Sequence, residues 1–146
     1  MLRAIAGVIV AYLVMAFLTV CAFFGLYAAV REGSYEPSVL WIAISVVIGV
    51  AAALLGGVVC GLIGRSKRAA QEMAALLLVF GLLYAGMSMK RPQEVADRPA
   101  DVAAMEAMQH ARTPAWMGVL NALIGATGVM VGATMVLNRR GGTVGS

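Results

Sequence analysis

Charge is scarce in this sequence: Asp, Glu, Lys and Arg make up 12% of its 146 residues, while 62% are apolar. A soluble domain carries about 25% charged and 45–50% apolar residues, and a chain this short leaves much of its surface wet. With a mean hydropathy of +0.90, the composition excludes a lone soluble domain, a nucleic-acid-binding module and a disordered chain. Histidine is nearly absent too. His110 stands alone, and Cys21 and Cys60 are the two cysteines. Haem or chlorophyll ligation inside a bilayer ordinarily uses histidine, and a metal site needs neighbouring ligands that His110 lacks. No Cys-x-x-Cys, Ser/His/Asp set or glycine-rich phosphate loop occurs. The expectation is therefore no cofactor, no metal and no enzymatic activity.

What is present is four long apolar runs, Ile5–Val30, Val39–Ile63, Met73–Met89 and Trp116–Leu137, none with a charged residue. About 20 apolar residues cross roughly 30 Å of hydrocarbon, so all four qualify as spans, the third at the lower edge. An unpaired backbone group in lipid costs several kcal/mol, which leaves helix as the conformation. The fold expected is all-α: an integral membrane four-helix bundle forming a single membrane domain. No ionisable group lies within the spans, and ion- or proton-coupled transport usually needs one.

The charges in the connections orient the bundle. With the N-terminus inside, the inner side holds Arg3, Arg65, Lys67, Arg68, Arg139 and Arg140 against Glu72. The outer side holds five basic residues against six acidic ones, Lys90 and Arg91 among the former. The positive-inside rule then places both termini in the cytoplasm of a bacterial inner membrane. Residues 1–30 have the basic start and apolar run of a signal sequence, but the run is too long and lacks a small-x-small cleavage site. Val20 before Cys21 departs from a lipoprotein box. Cys21 and Cys60 differ in depth by about 15–20 Å, whereas bridged Cα atoms lie within about 7 Å, so no disulfide is expected.

The two halves of the chain share a pattern. Phe24-Gly25-Leu26-Tyr27-Ala28 in the first run is echoed by Phe80-Gly81-Leu82-Leu83-Tyr84-Ala85 in the third. The second run has Pro37, Trp41, Ile48-Gly49, Gly56 and Arg65 where the fourth has Pro114, Trp116, Ile124-Gly125, Gly132 and Arg139. This reads as two tandem helical hairpins of equal orientation, related by an axis along the membrane normal. The connection 90–115 is the one sizeable polar segment. Within it Ala100–Arg112 reads as a short amphipathic helix, capped by Asp97 or Asp101, with Val102, Met105 and Met108 as an adaptable outer surface for lipid or a partner.

Small residues supply the remaining signal. Gly49, Ala53, Gly57 and Gly61 recur every fourth position in the second run, and Gly128 and Gly132 form a G-x-x-x-G in the fourth. Positions four apart share a helix face, and in lipid it is close backbone approach, not the hydrophobic effect, that holds helices together. Asn121 is the strongest polar candidate, an amide expected to bond across helices with about 0.6–2 kcal/mol. These residues form the expected packing interface; the spacing does not say whose helix it meets, with packing inside the chain as the default and the bilayer and other membrane-protein subunits, or further copies of the chain, as partners. The functional expectation is a non-catalytic accessory subunit of a larger bacterial inner-membrane complex, energy-transducing assemblies being the analogy. Bulky replacement of Gly57 or Gly128 should then detach it while leaving it inserted. The alternative is a small self-associating pore or uncoupled carrier lined by Asn121, Thr127 and Thr134.

Overall fold

A computed structural model describes residues 2–29, 33–34, 38–88, 97–98 and 115–141. Four helices make up nearly all of it: α1 Leu2–Ala29, α2 Val39–Gly64, α3 Lys67–Ser88 and α4 Ala115–Gly141. All four are long and apolar enough to cross a membrane. The protein is an all-α, multi-pass four-helix bundle. At one end a two-residue antiparallel ladder pairs Gly33–Ser34, between α1 and α2, with Asp97–Arg98, between α3 and α4. Asp97 thus lies in the ladder, pairing with Ser34. The segment Ala100–Arg112, with Val102, Met105 and Met108, lies outside the described residues.

The helix ends follow from local chemistry. Ser38 caps α2, its hydroxyl accepting from the Trp41 N–H at 3.2 Å. Arg65 ends α2 in the left-handed conformation (φ 50°), its N–H donating to the Gly61 carbonyl at 3.2 Å. Ser66 then caps α3 by accepting from the Ala69 N–H at 3.2 Å. The turn is therefore only Arg65 and Ser66. Hydropathy places the third span at Met73, but the helix begins at Lys67, because capping and the Arg68–Glu72 pair at 3.2 Å sustain helix outside the apolar run.

The core is built of small side chains. Ala11, Ala53, Ala69 and Ala133 are fully buried, and the largest fully buried residues are Met73, Val129 and Cys60. Large apolar residues point outward instead. On α1, Leu2, Ile5, Ile9, Leu13, Phe17, Val20 and Phe24 are all exposed, and their three- and four-residue spacing makes one stripe. Lipid is as apolar as leucine, so burying that stripe would gain nothing. Cys60 is buried, Cys21 exposed, and both are free thiols.

The helices meet in the order α1–α2–α4–α3. The most extensive contact joins α2 to α4, followed by α3 with α4 and α1 with α2; α1 touches α3 only lightly, so the ring closes poorly on that side. Across α1 and α2, Gly7 faces Gly64 and Met15 faces Gly56. Across α3 and α4, Leu77 faces Gly125, Gly81 faces Ala122 and Ala85 faces Gly118. Aligning Phe24 with Phe80 and Gly49 with Gly125 maps the Gly81–Ala122 pair onto Gly25–Val46. That pair lies in the same antiparallel register as Met15–Gly56, as two copies of one hairpin would retain.

Candidate functional site

The notched faces of α2 and α4 pack on each other. A methyl group placed on Gly57 would overlap the Val129 carbonyl oxygen and lie 2.8 Å from the Val129 Cα. One on Gly132 would overlap the Leu54 carbonyl oxygen and lie 3.0 Å from the Val58 nitrogen. Gly61 would bring it to 3.1 Å from the Ala133 Cα, and Gly128 to 2.6 Å from the Ala53 Cβ. Ala53, Gly57, Gly61, Gly128 and Gly132 are thereby brought together in one parallel contact within the chain. Packing within the chain is the default for such faces, and α2 and α4 use them on each other. Bulky substitution at Gly57 or Gly128 acts on the fold before it acts on any partner.

Gly49 and Asn121 are not in that contact. A Cβ on Gly49 would meet nothing within 4 Å, although it shares a helix face with Gly57. Asn121 is exposed, and among the described residues no hydrogen bond reaches its amide. The interhelical bond expected of Asn121 is thus not made among them. Both residues line a cleft of about 670 Å³ instead.

All four helices wall this cleft. Tyr12, Met15, Thr19 and Phe23 come from α1, and Ser45, Gly49 and Ala52 from α2. From α3 come Leu77, Phe80, Gly81, Leu83, Tyr84 and Met87, and from α4 Gly118, Asn121, Ala122 and Gly125. The eleven residues from Leu77 to Met87, ten steps of helical rise, make it about 15 Å deep. α1 hugs α2 at Gly7 and Gly56, and toward the other end the rings of Phe23 and Trp41 lie 6.4 Å apart between them. Small residues form the back wall. Tyr12 and Tyr84, 42% and 54% exposed, stand on opposite sides of the poorly closed α1–α3 seam.

The hydroxyls within the spans mostly serve their own helices. Ser45 donates to the Trp41 carbonyl at 2.8 Å, Ser88 to Ala85 at 2.9 Å, Thr127 to Leu123 at 2.7 Å and Thr134 to Val131 at 2.8 Å. Thr127 lines a separate apolar groove of about 370 Å³ with Val50, Leu54 and Val131. Asn121, Thr127 and Thr134 therefore do not share one lining. Among the described residues no group of His, Cys, Asp and Glu is placed to hold a metal ion.

Comparison with family models, curated proteins and solved structures finds no match. The function must be read from the packing itself. Sequence spacing missed the contacts of α1 and α3, although small-x-x-x-small pairs mark both, Gly7 with Ala11 and Gly81 with Ala85.

Proposed function

We propose that this protein is a non-catalytic accessory subunit of a larger bacterial inner-membrane complex, with both termini cytoplasmic, and that it meets its partner over α1 and α3. The observation that carries this reading is a pair of unused notches. A Cβ placed on Gly25 of α1 or on Gly86 of α3 would meet nothing within 4 Å. Glycine in a helix interior costs about 1 kcal/mol relative to alanine, and in lipid it is returned only by close approach of another backbone. At Gly57, Gly61, Gly128 and Gly132 the return comes from within the chain; at Gly25 and Gly86 no described residue supplies it, and a partner helix would. Exposed aromatic residues beside them, Phe24 and Tyr84, offer contact area to a neighbouring helix.

Gly25→Leu and Gly86→Leu should therefore leave the chain folded and inserted while releasing its partner. On native gels of mild-detergent extracts, the higher-mass species should give way to a small one. If the unaltered protein already migrates as a single small species with nothing co-purifying, the reading fails. The mass of the larger species also separates a complex with other subunits from self-association. For the orientation, a reporter fused after Ser146 is expected to be active only when it is one that works in the cytoplasm. Activity of a reporter that requires export would reverse the topology.

A further inference from the structure

We propose that the four-helix cleft binds one uncharged lipophilic molecule whose hydrogen-bonding head, an ester carbonyl or a hydroxyl, pairs with the Asn121 amide, its chain descending toward Met15 and Leu77. This inference does not rest on the subunit role. The volume of about 670 Å³ falls within the range of small-molecule sites, roughly 300–1,000 Å³. Among the described residues that line it there is no Asp, Glu, Lys, Arg or His, so a charged head would find no counter-ion among them in a medium that penalises bare charge heavily.

The polar group is at the right depth. Asn121 lies six residues beyond the start of α4, about 9 Å along the helix, with Trp41 and Trp116 marking the interface at that end. Without a bond from the described residues, the amide favours a ligand that supplies one. Below it Gly49, where an added Cβ would meet nothing within 4 Å, leaves width for an acyl chain. The lightly packed α1–α3 seam gives entry from the bilayer.

The test uses the full chain in nanodiscs with a diazirine-bearing monoacylglycerol, and two probes of the same chain: the free carboxylate and the headless alkane. Monoacylglycerol labelling should saturate, map to Met15 and Leu77, and be displaced by unlabelled monoacylglycerol. Asn121→Leu should weaken it about three- to twentyfold, the range of a membrane-buried hydrogen bond, and Asn121→Gln should restore most of it. Tyr12→Phe at the deep end should change nothing. Gly49→Leu, whose Cβ meets nothing within 4 Å, should block labelling with helicity and elution unchanged; if it misfolds, the Asn121 pair decides alone. Saturable labelling should persist in Gly86→Leu, so loss of a partner subunit and loss of the ligand are read separately. Unsaturable labelling spread along Ile9, Leu13 and Phe17, equal saturable labelling by carboxylate or alkane, or indifference to Asn121→Leu would overturn the assignment.

Discussion

Gly132→Leu and Gly57→Leu are expected to destroy the compact bundle. The first added carbon at either position runs into backbone: the Leu54 carbonyl at Gly132, the Val129 carbonyl and Cα at Gly57. Backbone in a helix cannot rotate aside as a side chain can, so α2 and α4 must separate along the bundle's most extensive contact. Overpacking a well-filled core costs about 1–3 kcal/mol, occasionally more. With backbone as the obstacle and leucine as the intruder, about 3 kcal/mol or more is expected. Denaturation by sodium dodecyl sulfate in mixed micelles, followed by Trp41 and Trp116 fluorescence, provides the measure. Gly56→Leu is the internal comparison: its added carbon meets Cγ and Sδ of Met15, the movable end of a flexible side chain, and should cost markedly less. Unfolding curves for Gly57→Leu and Gly132→Leu that overlie the unaltered protein's would show that α2 and α4 are not in contact.

The second large effect concerns α3 and α4, and it has a rescue. Gly118→Ala puts a methyl 2.9 Å from the Ala85 Cβ and 3.2 Å from its Cα, so the helices must part slightly. A loss of about 1–3 kcal/mol is expected. Ala85→Gly removes the obstructing methyl, and the double variant Gly118→Ala/Ala85→Gly merely moves one carbon across the contact. It should recover to within about 0.5 kcal/mol of the parent once the helix cost of glycine is measured in Ala85→Gly alone. Neighbouring residues are where such non-additivity is expected. Strictly additive losses in the same detergent titration would mean that the two positions do not face each other. Gly81 and Ala122 stand in the same relation one turn deeper.

Much of the small-residue contact was readable from spacing, but its partner was not. Ala53, Gly57 and Gly61 on one helix, and Gly128 and Gly132 on another, announce faces where backbones can approach. They carry no mark of whether the approaching helix belongs to the same chain. Gly49 continues the same four-residue rhythm and yet faces open space, because α2 and α4 meet closely only from Ala53 downward. Asn121 was recognisable as an amide in need of a partner. That no described residue supplies one, and that the amide borders a cleft, depends on where α1 and α3 diverge.

Composition and hydropathy alone determine that this chain is helical, with four stretches long and apolar enough to cross a membrane. Transfer into lipid is a property of each stretch taken separately, and so is the need to satisfy its backbone internally. Charge in the connections supports an orientation by similarly local means. Which notches are filled, which stay empty and where the bundle gapes were decided only in three dimensions. Lipid exerts no hydrophobic pressure to bring helices together, so partner choice rests on the fit of one surface to another, and that fit exists only once the helices are placed.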